Sequence, residues 1–134
     1  MMKETDFRKA IKSALKKVSP DAKIIAMVAG FRTSYHVPDS VWVVPAADGV
    51  PGRTVFVEFK GASTKFRLGQ RLFMEHCNTT TKANSCFLLR HSGEGLVGEL
   101  FGGPGDESLG SYDFKDPGDI KSLLDVLRKG AHNT

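Results

Sequence analysis

Asp39, Glu58, Lys60 and Gln70 bring two carboxylates, an ammonium and an amide into one stretch of this chain. Glu58 and Lys60 close an apolar run, Thr54-Val55-Phe56-Val57-Glu58-Phe59-Lys60-Gly61. Side chains two apart on a strand point the same way. Glu58 and Lys60 therefore share one face, while Val57 and Phe59 point into the other layer. Nineteen residues before Glu58, Pro38-Asp39 opens a second apolar run, Val41-Trp42-Val43-Val44. A carboxylate and an ammonium on one face, with an aspartate from a neighbouring strand, can hold Mg²⁺ and activate a water. Phosphodiester hydrolysis asks for that chemistry: a water deprotonated near phosphorus, and charge neutralised on the phosphate oxygens. Asp39 and Glu58 would supply the carboxylates, and Lys60 would orient the attacking water or stabilise its deprotonated form. Gln70 would hold Lys60, the water or the DNA backbone.

The elements that must position these residues follow from periodicity. Phe7, Ile11, Ala14, Leu15 and Val18 fall at helical spacing over residues 5–18. Arg8, Lys9, Lys12, Lys16 and Lys17 take the other side, Thr5 or Asp6 caps the start, and Pro20 ends the helix. Residues 23–28 read as a first strand and 29–36 as a polar loop. Val41–Val44 and Thr54–Lys60 read as paired strands joined through an Asp48-Gly49 turn, the second of them central. Residues 65–78 predict a helix with Phe66, Leu68, Leu72, Phe73 and Cys77 on its apolar arc and Gln70 at the edge of that arc, able to reach a cleft. Ser85–Arg90 is the next strand, and strand–helix–strand at this length predicts a right-handed parallel crossover. Residues 92–113 hold seven of the fourteen glycines and read as loop around one strand, Leu96–Phe101. Asp116-Pro117 starts a last helix with Ile120, Leu123, Leu124 and Leu127 as its buried stripe, and His132–Thr134 should fray.

At 134 residues the chain fits one domain, residues 1–134, able to bury a core without a disulfide or structural metal. Residues 1–90 carry 15 Lys and Arg against 7 Asp and Glu, a balance of +8; residues 91–134 carry 4 against 8, a balance of −4. That asymmetry predicts a polyanionic partner for the first part. Cys77 and Cys86 show no zinc-ligand spacing and read as reduced thiols. No apolar stretch reaches bilayer-spanning length and the N-terminus lacks a signal-peptide pattern, so the expected setting is intracellular: cytoplasmic, or host cytoplasm for a viral protein.

Pro38-Asp39, then Glu58-Phe59-Lys60, then Gln70 on the following helix resemble the PD-(D/E)XK nuclease superfamily. Through Pro38-Asp39-Ser40, Val57-Glu58-Phe59-Lys60-Gly61, Ser63 and Gln70 the chain is most similar to the small stand-alone VRR-NUC domain nucleases, over roughly residues 36–90. The resemblance implies an α/β (α+β) fold with a restriction-endonuclease-like core, a mixed central sheet flanked by helices. It implies a Mg²⁺-dependent DNA endonuclease, with Mn²⁺ able to substitute, and adds the backbone carbonyl of Phe59 as a metal ligand. A branched substrate, a flap or a four-way (Holliday) junction, is implied, and a junction resolvase would work as a homodimer with two sites. Glu4 keeps two readings. An acid in the first turn suits the helix dipole, and superfamily members carry an acid on the first helix near the metal.

Arg32, Thr33, Ser34, Tyr35 and His36 precede the metal aspartate; Lys65, Arg67, Arg71 and Lys82 follow the catalytic strand. Arg32, Tyr35, His36, Lys65, Arg67 and Arg71 are the candidate DNA-binding residues, flanking one cleft and gripping phosphates without reading bases. Each site residue also has a purely structural reading. Glu58 and Lys60 could be a solvent-facing pair, Asp39 a turn residue, and Gln70 a helix-surface amide. The alternatives in function are a broad-specificity phage or restriction-like nuclease or nickase, and a non-catalytic nucleic-acid-binding module on the same fold. Loss of any one of Asp39, Glu58, Lys60 and Gln70 is expected to cost orders of magnitude in rate and leave the fold intact.

Overall fold

A computed structural model describes residues 2–27, 36–80 and 83–130. Helix α1 spans Glu4–Val18; strands β1 (Lys23–Ala26), β2 (Ser40–Val44) and β3 (Arg53–Lys60) follow. Then come helix α2 (Leu68–Thr79), strands β4 (Cys86–His91), β5 (Val97–Gly102) and β6 (Glu107–Asp113), and helix α3 (Pro117–Lys129). The architecture is α+β, a mixed sheet flanked by helices. Among the described residues its six strands lie in sequence order, every neighbouring pair antiparallel except β3–β4. One sheet thus runs through both the basic and the acidic parts of the chain. Among the described residues no helix is long and apolar enough to cross a membrane.

The β2–β3 hairpin is set by its turn. Asp48 (φ 52°) and Gly49 (φ 78°) are both left-handed, as a two-residue turn matched to strand twist requires. Ala47 and Val50 exchange N–H···O bonds of 3.1 and 2.9 Å beside that turn. The pairing then continues in one register, Val44 with Arg53, Trp42 with Val55 and Ser40 with Val57. Turn chemistry at residues 48–49 thereby fixes which residues meet at the far end of the hairpin.

Strands β3 and β4 are parallel, and α2 forms the crossover between them. The sheet is covered on both faces. On one, Trp42, Val55, Val57, Phe59, Phe87, Leu89 and Leu100 pack with Phe7, Ile11 and Leu15 of α1 and Ile120, Leu123, Leu124 and Leu127 of α3. On the other, Cys86 and Leu88 pack with Met74 of α2 and with Phe56, Phe66, Phe73, Cys77 and Phe101 at the margin. Burying this apolar area, at about 25 cal/mol per Å², is the main force holding helices to sheet.

Two polar anchors complete the frame. Asn78, buried in α2, donates from Nδ2 to the carbonyls of Cys86 and Gly103, both at 2.8 Å. Its Oδ1 accepts from the N–H groups of Ser85 and Cys86 at 2.9 and 3.0 Å. Arg53 donates to the carbonyls of Leu127 (3.0 Å) and Asn84 (2.7 Å), binding the C-terminus of α3 to the sheet, where its positive charge also suits the helix dipole. Asp116 caps α3 by accepting from Gly118 N–H, as its sequence predicted.

The structure corrects several expectations. Helix α1 starts at Glu4 with Lys3 in the cap position and no side-chain cap bond, so neither Thr5 nor Asp6 caps it; both lie inside the first turn, where Asp6 suits the helix dipole. Residues 107–113, read as loop, form β6; only Tyr112 on this strand is buried, so no apolar alternation marks it, and pairing with β5 holds it in place. Helix α2 begins at Leu68, not at residue 65, which takes Phe66 off the helix. Leu68 and Leu72, placed on the apolar arc, are 70% and 54% exposed. The inward face is centred on Met74 and Asn78, where the amide bonds fix the helix's rotation. The first strand closes at Ala26; Val28, the loop at 29–35 and His132–Thr134 lie outside the described residues.

Candidate active site

The site forms where the β2–β3 ladder stops. Past the Ser40–Val57 pair, carboxylates replace backbone carbonyls as hydrogen-bond partners. Asp39 N–H donates to Glu58 Oε1 at 2.9 Å, and Phe59 N–H donates to Asp39 Oδ1 at 3.1 Å. Each acid is thereby held by the other strand. Asp39 continues the hairpin register onto Glu58, so the turn at Asp48-Gly49 brings the two acids together. Ser40, next to Asp39, donates its hydroxyl to Val57 carbonyl at 2.7 Å and locks the strand end.

Asp39, Glu58 and Lys60 are all buried. Lys60 Nζ lies 3.5 Å from Glu58 Oε2, on the face that the two-residue spacing predicts. Gln70 reaches the same oxygen, donating from Nε2 at 3.2 Å. Its Oε1 accepts from Arg67 N–H at 3.1 Å, so both ends of the amide are used and its orientation is set by the first turn of α2. Lys60 pairs in register with Arg90 of β4. Arg90 donates to the carbonyls of Gly61 (2.9 Å) and Thr64 (2.6 Å), which ties down the chain leaving Lys60.

The backbone of Phe59 faces the same corner. N–H and C=O of one strand residue point to one edge. Phe56 N–H bonds Ser85 on the β4 side, whereas Phe59 N–H bonds Asp39 on the β2 side. The Phe59 carbonyl therefore points to the β2 side as well, beyond the last β2–β3 pair.

Arg8 of α1 enters this corner, although its sequence position placed it among the solvated lysines. Its Nη2 lies 2.6 Å from Asp39 Oδ2 and 3.4 Å from Glu4 Oε2, and its guanidinium carbon stands 5.3 Å from the centre of the Phe59 ring. Glu4 thus joins the site's electrostatics through Arg8. Lys9, Lys12, Lys16 and Lys17 are exposed, as expected. Among the described residues no three His, Cys, Asp or Glu side chains converge into a ready-made metal cage. The donors present still fit a hard cation: two buried carboxylates and a strand-edge carbonyl are all oxygen.

Of the candidate DNA-binding residues, Lys65, Arg67 and Arg71 are exposed around the start of α2. Arg71 is paired across 3.7 Å with Asp106, both well exposed, a contact worth little. His36 adopts φ 56° and its ring covers Gly69, leaving no room there for a β-carbon. Arg32 and Tyr35, with Lys82, lie outside the described residues. Behind the site, burial first, then Cys77 and Glu58, push the Cys86 thiol well above its ordinary value; burial also raises Cys77.

Sequence reasoning missed Arg8, Arg90 and Asn78. For Arg8 a signal existed, the i,i+4 spacing from Glu4. Arg90 and Asn78 acquire their roles only through strand register and tertiary packing. No family model matches this chain, and no curated protein or solved structure matches it.

Proposed function

We propose that this protein is a Mg²⁺-dependent DNA endonuclease of the PD-(D/E)XK type. One observation carries the reading: Asp39, Glu58, Lys60 and Gln70, drawn from two strands and a helix, converge around the Glu58 carboxylate. A surface ion pair would not bury a lysine; taking its charge out of water costs several kcal/mol unless it is compensated. Lys60 is buried against Glu58 at the end of strand β3. A non-catalytic binding module has no need of that arrangement.

The metal's seat would be Asp39, Glu58 and the Phe59 carbonyl. A bound Mg²⁺ would lower the pKa of a water and neutralise charge on the phosphate. Lys60 orients the attacking water and stabilises its deprotonated form. Gln70 fixes the Glu58 oxygen that Lys60 also touches, so carboxylate and ammonium keep one geometry. Lys65 and Arg67 at the start of α2, with the exposed lysines of α1, supply phosphate contacts independent of sequence. Recognition by shape follows, and branched DNA is the substrate class proposed; cleavage of a four-way junction calls for a homodimer.

The test is cleavage of labelled linear duplex, flap, splayed-arm and four-way-junction DNA, with and without Mg²⁺, by wild type and Lys60→Met. Metal-dependent cutting of the branched substrates, lost in Lys60→Met, is expected. Equal cutting of all four would assign a broad nuclease. Binding without cutting in Mg²⁺ or Mn²⁺ would leave a nucleic-acid-binding module.

A further inference from the structure

We propose that Arg8 is the resident counter-cation of this site, and that a divalent ion enters by taking the guanidinium's place on Asp39. The inference rests on the metal-dependent reading above and adds to it how the site is kept until the metal arrives.

One nitrogen, Arg8 Nη2, contacts two carboxylates, Asp39 Oδ2 at 2.6 Å and Glu4 Oε2 at 3.4 Å. A positive group between oxygens of opposite charge is what a hard cation would be in the same corner. The Asp39 side chain is 1% exposed, and a charge so buried is costly unless it is paired. Guanidinium and metal are alternative partners for the same oxygen, so the exchange keeps the corner neutralised throughout.

Three features suit Arg8 to leaving. Its Nε is buried without a hydrogen-bond partner, so the seat satisfies the guanidinium incompletely. Its side chain is 29% exposed, which gives it a route to solvent. Its second ion pair, to Glu4, spans 3.4 Å between two part-exposed groups and holds it weakly. A guanidinium released there keeps five donors and its charge, and remains tethered to α1 beside the acid pair.

Competition lowers apparent metal affinity by the fraction of molecules whose seat is free. Mg²⁺ binding to the full-length protein without DNA, at fixed ionic strength, reads this directly. Arg8→Gln should bind Mg²⁺ about tenfold or more tightly than wild type. In wild type, the Arg8 side-chain ¹⁵Nε–H signal should shift along the Mg²⁺ titration with the same dissociation constant as the amides of Glu58 and Lys60. This second readout needs no substitution, so it holds even where Arg8→Gln folds poorly. Mg²⁺ binding with an unmoved Arg8 signal, or an Arg8→Gln variant that binds no tighter, overturns the exchange and leaves the nuclease reading standing. Absence of Mg²⁺ binding in both folded proteins overturns the metal site itself, and the exchange with it.

Discussion

Replacing Asp39 by alanine should damage the fold as well as the chemistry, contrary to the expectation that site residues can be removed with the structure intact. Asp39 Oδ2 accepts a 2.6 Å bond from Arg8, and Oδ1 accepts a 3.1 Å bond from Phe59 N–H. A bond between charged groups contributes about 1.5–3 kcal/mol and an ordinary one about 1 kcal/mol. Arg8 is part-exposed and keeps Glu4 at 3.4 Å, so the lower half of the first range applies. The Phe59 N–H is buried and orphaned in the variant, which adds a desolvation cost of about 1–2 kcal/mol. Together these give about 3–4 kcal/mol, a large share of the ~5–15 kcal/mol that holds such a domain together. Asp39→Asn can keep the bond from Phe59 while losing the charged one, about 1.5–2 kcal/mol. With a urea slope of about 1–2 kcal/mol per M, the midpoints should fall in the order wild type, Asp39→Asn, Asp39→Ala, the last lower by roughly 2 M. Equilibrium urea unfolding in EDTA, followed by far-UV circular dichroism, measures this, and nuclease assays run well below each midpoint separate unfolding from lost chemistry. An Asp39→Ala midpoint at or above wild type would mean that neither bond stabilises the fold, contrary to this prediction.

Lys60→Met keeps the length of the side chain and removes its charge; cleavage should fall at least 100-fold, on the scale of losing one catalytic proton-handling group, with the urea midpoint within about 1 M of wild type. Gln70→Ala should cost less, about 10-fold in kcat, because Lys60 still contacts Glu58 Oε2 after the amide is gone; rate measurements at saturating DNA test this. Asn78→Ala removes four hydrogen bonds, two of them fully buried and two part-buried, and should destabilise by about 3–4 kcal/mol, read as a drop in thermal midpoint, with Gln70 loosened along with α2. The folded chain holds the Cys86 and Cys77 protons more tightly than the unfolded one. Their contribution is therefore fully present below about pH 8.5, the unfolded thiol value, and is lost as pH rises toward the raised folded values. Unfolding midpoints taken from pH 7 to pH 10 should decline over that window, and alkylation of Cys86 at pH 7.5 should occur only on unfolding.

The acid pair and its lysine were legible because local rules suffice for them. Asp48-Gly49 fixes the hairpin turn, a turn fixes register, and register places Asp39 opposite Glu58. The two-residue period then puts Lys60 on the face of Glu58. Gln70 was legible from helical period alone, although the helix starts three residues later than its pattern suggested. What was illegible depended on tertiary partners. Leu68 and Leu72 look like core on a wheel, but Asn78 sets the rotation of α2 by bonds to strand β4 and to Gly103. Strand β6 has one buried residue and a glycine at φ 111°, so its sequence carries no strand period; its partner β5 supplies the order. Arg8 carries a solvated-face pattern, and only the packing of α1 across the end of β3 turns it toward Asp39.

That ion pair also has a direction in time. Arg8 precedes Asp39 by 31 residues, and Asp39 precedes Glu58 by 19. During synthesis at roughly 5–20 residues per second, the cation leaves the ribosome about 2–6 s before the first acid it neutralises. The hairpin that presses Asp39 against Glu58 closes on the order of 1–10 μs once both strands are out. The two like charges are thus forced together late and fast, in a chain whose counter-charge has already emerged. Moving Arg8's segment to the C-terminus by circular permutation would reverse that order, so that Asp39 meets Glu58 before the guanidinium that pairs with it has been made.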